Sequence, residues 1–440
     1  MMARAASILA LSLTLAGCCL TTQVTGQTAG AQGSGGSSSS TGSAAGPGTT
    51  GSTTAAASST GGSSSGTTGG SSTGPTLAPI LLLDAGEDVV FGPVSIVGGL
   101  NGPSSGGARL AYSMSDGGPF NVYLQGFSDE ALPAGAPELI AGTSPGLFGA
   151  PGVSVSNYGN ETALCWDDNG VSTDPFGGQA CSTGIGPIVI CATIAAQGAP
   201  PQNVFSDCGN SAQLIFNPAD GVTQLLVYNG DFQLTEAFFP SAGDSITLNS
   251  SLPVVGVPVL SGLDEVFFGM PSSGMIPGCI SQGLTVVRHL YGGSTLQPIC
   301  SPVDASFDPD GQFAVAGNPT VELAGILELD GAGLRASVWG IDAGIATEPI
   351  PSAEAPTGPL AAGPCPNGFG YVTMTADGSL LFTEQAFDGT LMPDGGLLQL
   401  GRFSSAPITT SMAVAPSLDG GLFLAVSSPA QIGVYLISCE

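Results

Sequence analysis

Short apolar segments separated by turn residues dominate the chain beyond residue 77. Segments 188–190, 421–426 and 433–437 are good examples of such short apolar runs. Glycine and proline recur every few residues, and no apolar pattern with the 3.6-residue period of a helix persists for three turns. Apolar runs of this length, bounded by turn residues, are typical of β-strands. The pattern therefore predicts an all-β fold.

One β-hairpin is indicated directly by the sequence. Segments 225–228 and 231–234 are rich in strand-forming residues and flank the pair Asn229-Gly230. An Asn-Gly pair readily takes the positive φ angles of a type I′ turn. We therefore predict a hairpin with a two-residue turn at Asn229-Gly230.

Asp-Gly pairs divide the same region into units of similar length. With two degenerate versions included, these turns begin at Asp116, Asp168, Asp220, Asp264, Asp310, Asp377 and Asp419. Units of roughly 40–50 residues with four short strands are typical of β-propeller blades. The spacing predicts a β-propeller of six to eight blades, with seven preferred. Segment 79–93 is expected to supply the strand that closes the ring against the last blade. Tandem β-sandwich domains are the alternative, because both architectures space their strands similarly.

Two C-terminal stretches have the same order of turn, strand, loop and strand. Segment 307–317 leads to 326–331, and segment 375–382 leads to 398–403. Both resemble the delta-sixty class of propeller repeats and related bacterial blades. The resemblance is carried by turn and strand motifs, so it implies a fold and no active-site residues.

The N-terminus has the pattern of an export signal. Arg4 is followed by a small and apolar run over residues 5–16, too short for the ~20 residues of a transmembrane helix. Leu15-Ala16-Gly17-Cys18 resembles the lipobox of bacterial lipoproteins, which implies removal of residues 1–17 and acylation of Cys18. Cys19 follows where an aspartate would resemble an inner-membrane retention signal, so we expect an outer-membrane location. An ordinary secretory signal is the alternative.

A tether is expected between the anchor and the folded domain. Residues 21–76 are almost wholly Gly, Ser, Thr and Ala, and no charged residue occurs between Arg4 and Asp84. Such a segment has too little apolar surface to offset the ordering of its backbone. The expected organisation is therefore a signal peptide at 1–17, a lipidated tether at 18–76 and a folded domain at 77–440.

The charge balance excludes several functions. The chain has 33 acidic residues, one histidine (His289) and five basic residues, all of them arginine. A polyanion of this kind repels nucleic acid. Without lysine there is neither a Schiff base nor a Walker-type phosphate loop, and one histidine does not build a His-rich zinc site. Because His289 reads as an ordinary residue of a strand, the chain is not expected to be a nucleophile-and-base hydrolase.

The cysteine pattern predicts disulfides. Besides Cys18 and Cys19, an even number of cysteines remains, which in an exported protein indicates disulfide bonds. These are Cys165, Cys181, Cys191, Cys208, Cys279, Cys300, Cys365 and Cys439. Their spacing favours neighbour pairing as Cys165–Cys181, Cys191–Cys208 and Cys279–Cys300, with Cys365–Cys439 closing the last segment. Other connectivities remain open.

A few acidic residues have the spacing of a calcium loop. Asp167, Asn169 and Asp174 place oxygen atoms close together in sequence, with Asp168 between them, and Asp308 and Asp310 form a second, weaker group. Neither group fits the full twelve-residue calcium pattern. Since Asp and Asn are also the usual turn residues, calcium is a weak candidate and no other cofactor is expected.

These observations favour a lipid-anchored envelope protein whose propeller is a binding module without catalysis. Its partners would be the bilayer, through acylated Cys18, and an unidentified envelope protein or polysaccharide. One alternative is a secreted carbohydrate-active or other hydrolytic enzyme with carboxylates in the propeller channel. Another is a structural envelope protein without a specific ligand.

Overall fold

Every regular element in the described part of the chain is a β-strand. The computed structural model describes residues 77–439, except 87, 99–106, 129, 144–149, 169–187, 196–198, 209–210, 218–221, 230–232, 239–245, 250–253, 258–264, 270–283, 290–296, 305–311, 332, 341–343, 351–357, 393–396 and 404–410. Within these residues the strands β1 to β29 follow one another with no helix between them, and none of the described chain is a helix able to cross a membrane. The prediction of an all-β fold is confirmed.

The described strands form seven antiparallel sheets, numbered here in chain order of their first strand. Sheet 1 consists of β2 (Val90–Val97), β3 (Arg109–Ser115), β4 (Asn121–Gly126) and β5 (Glu138–Gly142). Sheet 2 consists of β6 (Val153–Tyr158), β7 (Glu161–Asp168), β8 (Ile188–Ile194) and β9 (Gln202–Cys208). Sheet 3 consists of β10 (Ser211–Asn217), β11 (Val222–Asn229), β12 (Gln233–Phe238) and β13 (Ile246–Asn249).

The remaining four sheets are also antiparallel. Sheet 4 consists of β14 (Val254–Val257), β15 (Glu265–Gly269), β16 (Leu284–His289) and β17 (Gln297–Asp304). Sheet 5 consists of β18 (Gln312–Asn318), β19 (Leu323–Asp330), β20 (Gly333–Gly340) and β21 (Gly344–Pro349). Sheet 6 consists of β22 (Ala361–Cys365), β23 (Gly368–Met374), β24 (Ser379–Ala386), β25 (Leu391–Met392) and β26 (Leu398–Arg402). Sheet 7 consists of β27 (Ser411–Pro416), β28 (Leu422–Ser428), β29 (Gln431–Ile437) and β1 (Leu81–Asp84).

Sheet 7 joins the two ends of the described chain. Strand β1 pairs antiparallel with β29, with Leu81 opposite Val434 and Asp84 opposite Gln431. The expectation that segment 79–93 pairs with the last strands is therefore confirmed for β1, while the rest of that segment begins sheet 1.

The first strands of the seven sheets contact one another in a cycle. We call β2, β6, β10, β14, β18, β22 and β27 the axial strands. Each axial strand packs against the axial strand of the next sheet, and β27 packs against β2. The order of contacts therefore returns to the sheet at which it began.

The apolar core lies between neighbouring sheets. Strands β8, β23 and β28 are buried along their whole length, and the predicted apolar runs 188–190 and 421–426 overlap β8 and β28. One cluster, for example, joins Val94 and Leu110 of sheet 1 to Val434 and Phe423 of sheet 7. Burying one such side chain contributes roughly 1.5–3 kcal/mol, so each sheet depends on its neighbours for stability.

Three of the predicted Asp-Gly turns lie within the described residues, and they do not occupy equivalent places. Gly117, Gly378 and Gly420 all have positive φ angles, between 81° and 87°, which glycine adopts without steric cost. Gly117 lies between the second and third strands of sheet 1, whereas Gly420 lies between the first and second strands of sheet 7. The predicted repeat therefore did not mark one fixed point in each sheet.

The predicted hairpin forms with a longer connection than expected. Strand β11 pairs with β12, and the last paired residues are Asn229 and Gln233. Three residues therefore connect the strands, so the prediction of a two-residue type I′ turn is wrong. The paired segment continues through Asn229 itself, which was predicted to lie in the turn.

Two disulfides are described, and one of them corrects the predicted pairing. Cys165 is bonded to Cys191, its direct cross-strand partner in β7 and β8, with a Cα–Cα distance of 4.1 Å. The predicted pairs Cys165–Cys181 and Cys191–Cys208 are therefore wrong. The bond Cys365–Cys439 is confirmed, and it joins the end of β22 in sheet 6 to the residue two positions beyond β29 in sheet 7.

Candidate functional site

Two cavities lie in series along the axial strands. The smaller, about 270 Å³, lies against the middle of these strands, and the larger, about 450 Å³, lies at their C-terminal ends. Both cavities touch Ile96, Val155, Leu214, Ala362 and Val414, so they adjoin each other along the axial strands. We call the two cavities together the axial channel, and the larger cavity its mouth.

The described lining of the axial channel carries no charged side chain. The mouth is lined by small, apolar, hydroxyl and amide residues, among them Ser156, Asn157, Phe216, Asn318 and Thr320. The axial strands themselves contain no Asp, Glu, Lys, Arg or His in any of the seven sheets. Against 33 acidic residues in the chain, this absence from the axial strands marks the channel as chemically distinct from the rest of the protein.

Serine side chains join successive axial strands at the channel wall. Ser411 Oγ accepts a hydrogen bond from Val94 N at 3.1 Å. Ser95 Oγ accepts one from Val155 N at 3.1 Å, and Ser154 Oγ accepts one from Leu214 N at 2.9 Å.

The three contacts therefore run from sheet 7 through sheets 1 and 2 to sheet 3. Axial strands of different sheets form no backbone–backbone hydrogen bonds as β-strand partners. A backbone N–H that points at the neighbouring sheet therefore needs a side-chain acceptor. The serines supply that acceptor and fix the spacing of the channel wall.

Asn157 stabilises one side of the mouth. Its Nδ2 donates a hydrogen bond to Gly98 O at 2.9 Å, which links the end of β6 to the residue after β2. Its backbone carbonyl accepts a hydrogen bond from Thr223 Oγ1 at 2.5 Å, which adds sheet 3 to the same group. Asn157 therefore links three sheets, through its side-chain amide to sheet 1 and through its backbone carbonyl to sheet 3.

The described arginines serve structural contacts away from the channel. Arg335 Nη2 lies 3.3 Å from Glu328 Oε2, its cross-strand partner in sheet 5. Arg402 Nε donates a hydrogen bond to Asp377 O at 2.6 Å. Burial lowers the pKa of Arg109 from its usual value, although the charge of Glu138 opposes that change.

The histidine lies away from the axial strands. His289 is the last residue of β16, the third strand of sheet 4, opposite Glu265. The strand predicted around His289 is thus observed, and the residue is not part of the described channel lining.

Asp167, a weak calcium candidate, has a structural contact in sheet 2. Its Oδ2 accepts a hydrogen bond from Gly152 N at 2.8 Å, just before β6 begins. Burial raises the pKa of Asp167 to about 7, and the nearby charge of Asp168 adds to the shift. The other two candidates, Asn169 and Asp174, lie outside the described residues, as do Asp308 and Asp310. The calcium expectation therefore stays a prediction.

Other predicted site residues also lie beyond what the structure describes. Cys18, Cys181 and Cys279 fall outside the described residues, and only the backbone strands are described at Cys208 and Cys300. Acylation of Cys18 and the remaining disulfides therefore stay predictions.

A buried hydrogen-bonded group between sheets 5 and 6 was not predicted from the sequence. Tyr371 Oη donates a hydrogen bond to Gln385 Oε1 at 3.1 Å, and Gln385 Nε2 donates one to Ala336 O at 3.3 Å. Burial raises the pKa of Tyr371 well above its usual value, and the charge of Glu328 acts in the same direction. The neutral phenol is therefore a structural link. An isolated Tyr and Gln in neighbouring strands give no sequence signal for it.

The carboxylate of Asp377 accepts hydrogen bonds from its neighbours in an exposed turn of sheet 6. Thr375 Oγ1 donates a hydrogen bond to Asp377 Oδ1, and so does Ser379 N at 3.1 Å. These donors, with a smaller contribution from Arg402, lower the pKa of Asp377 to about 2. The arrangement explains the Asp-Gly turn at this position, because the carboxylate satisfies the donors of the turn.

Comparison with known proteins gives structural similarity alone. No family model and no curated protein matches the chain. The chain is similar to a chain of the mitotic checkpoint complex, with 13% identity and a TM-score of 0.49, over 84% of this chain and 97% of that one. It is similar to the BP39L lectin from Burkholderia pseudomallei, with 16% identity and a TM-score of 0.47, over 79% of this chain and 100% of that one. It is similar to TolB from Acinetobacter baumannii, with 10% identity and a TM-score of 0.37, over 79% of this chain and 80% of that one. Similarity at this level transfers neither ligand nor activity.

Proposed function

We propose that this chain is a lipid-anchored envelope protein whose seven-bladed β-propeller binds an uncharged region of a partner at the mouth of the axial channel. Residues 1–17 are the signal peptide, acylated Cys18 is the anchor, and residues 18–76 are the tether. The binding module comprises residues 77–440 and performs no catalysis.

The seven-bladed ring is supported by two structural relationships. The axial strands contact one another in cyclic order, and β1 completes the sheet formed by β27, β28 and β29. In tandem β-sandwiches, contacts would remain within each domain and the first and last strands would lie in different domains. Pairing of the first strand with the last blade is instead a means of closing a propeller.

The proposed binding role rests mainly on the uncharged lining of the axial channel. General acid–base chemistry requires a titratable group at hydrogen-bond distance from the reacting atoms. A glycosidase needs two carboxyl groups, separated by roughly 5–10 Å. The described channel lining offers amide, hydroxyl and apolar groups, which suit binding and give no support to the alternative of a channel hydrolase.

The anchor follows from the N-terminal sequence. Each acyl methylene that enters the bilayer contributes ~0.8 kcal/mol, so two or three acyl chains hold a protein stably at a membrane. The tether has an r.m.s. span on the order of 40 Å, which allows the propeller to turn its channel mouth towards a partner.

Photo-crosslinking from the channel mouth tests the binding role. The photoreactive residue p-benzoylphenylalanine replaces Asn318, which lines the mouth, and in a matched control replaces exposed Glu130 of sheet 1. In the native host, irradiation should give a discrete adduct from position 318 and little from position 130. No adduct at position 318, or equal adducts at both positions, would contradict binding at the mouth.

A further inference from the structure

We propose that Cys365, Glu384 and Cys439 form a zinc site when the Cys365–Cys439 disulfide is reduced. One ligand atom from each residue, the two Sγ atoms and a carboxylate oxygen, lies within 4.8 Å of the other two. Within the described residues this is the one such group of three potential metal ligands. It lies where sheet 6 meets sheet 7, and Cys365 also lines the channel mouth.

The three ligands match the coordination chemistry of zinc. Zinc binds cysteine thiolates at about 2.3 Å and carboxylate oxygens at about 2.0–2.2 Å, in tetrahedral geometry. Such geometry separates neighbouring ligand atoms by roughly 3.4–3.8 Å, so the two sulfur atoms must separate after reduction to reach it. A fourth position is left for water, as in zinc sites with three protein ligands.

Gly370 explains why the carboxylate lies beside the disulfide. Glu384 and Gly370 are direct partners across β24 and β23. A Cβ atom on Gly370 would lie 2.6 Å from Leu422 Cδ1, 2.8 Å from Phe382 Cε2 and 3.1 Å from Cys365 Sγ, so the sulfur is one of three groups packed over the glycine. The missing side chain therefore allows Cys365 Sγ to approach the strand next to Glu384.

The position of Cys439 allows the two sulfur atoms to separate. Cys365 is buried at the end of β22, whereas Cys439 is half-buried and lies two residues beyond β29. Movement of Cys439 therefore breaks no strand pairing. The partial exposure also gives a reductant and an ion access, in contrast to the fully buried Cys165–Cys191 bond.

The redox step balances with a dithiol as the reductant. The dithiol gives two electrons and two protons to the Cys365–Cys439 bond and becomes a disulfide, leaving two thiols on the protein. Zinc binding releases these two protons, because thiolates are the ligands. Oxidation by a small-molecule disulfide transfers two electrons from the thiolates to that oxidant, re-forms the protein disulfide and releases the ion. Sheets 6 and 7 are thus joined by a covalent bond in one state and by a metal ion in the other.

Cobalt titration of the reduced mature protein tests the site. Co²⁺ serves as the probe for zinc, and a phosphine keeps the thiols reduced without oxygen. Relative to Cys365→Ser/Cys439→Ser, the wild type should bind one additional Co²⁺ with thiolate-to-metal charge-transfer absorption. Glu384→Gln should weaken that binding about tenfold or more, whereas the matched change Glu130→Gln should leave it unaltered. Equal cobalt binding by wild type and double variant, or by wild type and Glu384→Gln, would overturn the proposal.

A second measurement needs no substitution, in case the variants fold poorly. Zinc should raise the Tm of the reduced wild-type protein, and a chelator should reverse the increase. Zinc should leave the Tm of the oxidised protein unchanged. No zinc effect on the reduced protein, or the same effect on both forms, would contradict a redox-dependent site.

Discussion

Leu81 lies opposite Val434, so the first described strand completes the sheet built by the last three. Leu81 itself is buried between sheets 1 and 7, in the same cluster as Val94 and Val434. The N-terminal strand therefore both extends sheet 7 and contributes to the core that joins it to sheet 1.

Replacement of Leu81 should weaken this closure. Leu81→Ala is expected to lower the free energy of unfolding by about 2–3 kcal/mol, because it removes a buried side chain. Leu82→Ala is the matched control, since Leu82 is 37% exposed on the same strand and its loss should cost about 0.5 kcal/mol or less. Urea denaturation of both variants measures the difference. An equal loss of unfolding free energy in the two variants would show that burial of Leu81 does not stabilise the pairing of β1.

The serine contacts between axial strands should be important for stability. Ser154→Ala leaves the buried Leu214 N–H without its acceptor, and we expect a loss of about 1–3 kcal/mol. Ser128→Ala removes a similar acceptor from Leu132 N, but that contact is exposed and water can replace it. Its expected loss, measured by the same denaturation, is about 0.5 kcal/mol or less. A Ser154→Ala protein as stable as wild type would exclude a structural role for this contact.

Asp167 should make stability depend on pH. Burial raises its pKa to about 7 in the folded protein, against about 3.8 for an unperturbed aspartate. Between these values the folded state retains a proton that the unfolded state has lost, so the contribution of Asp167 to stability decreases as pH rises from about 4 to 7.

The neutral variant Asp167→Asn removes this titration. It should resemble the wild type at pH 4 and exceed its unfolding free energy by about 1–3 kcal/mol at pH 8. Chemical denaturation of both proteins at the two pH values measures this. A difference between variant and wild type that does not change with pH would contradict the raised pKa.

Peptide mass mapping of the unreduced protein tests the disulfides. We expect cross-linked peptides that join Cys165 to Cys191 and Cys365 to Cys439. Reduced and alkylated protein is the control, in which both cross-linked masses should disappear. Recovery of a Cys165–Cys181 peptide would contradict the cross-strand bond in sheet 2.

The fold class was predictable because strand signals are local. Strand β28 was evident from its apolar run, and segment 79–93 was correctly expected to supply a strand for the last sheet. The Asp-Gly turns at Gly117 and Gly420 lie at different connections of their sheets, because several turns within an antiparallel sheet can accept the same residue pair. The spacing of these pairs therefore did not locate the boundaries of the sheets.

Neither the disulfide pairing nor the serine contacts between axial strands could be predicted from the spacing of residues along the chain. Cys165 bonds Cys191 because the register of β7 and β8 sets them opposite each other, although Cys181 is closer in sequence. Likewise, Ser154 gives no signal of its role until β6 is known to lie beside β10. Both features depend on contacts between strands, which the linear sequence does not specify.

Intact mass and detergent partitioning of the protein from its native host test the anchor, on which the proposed location depends. We expect a mass that lacks residues 1–17 and includes acyl chains on Cys18, together with recovery in the detergent phase. Cys18→Ser should move the protein to the aqueous phase, and the matched Cys19→Ser should remain in the detergent phase. A wild-type protein that is free of lipid, cut elsewhere and recovered in the aqueous phase would contradict a lipid anchor at Cys18.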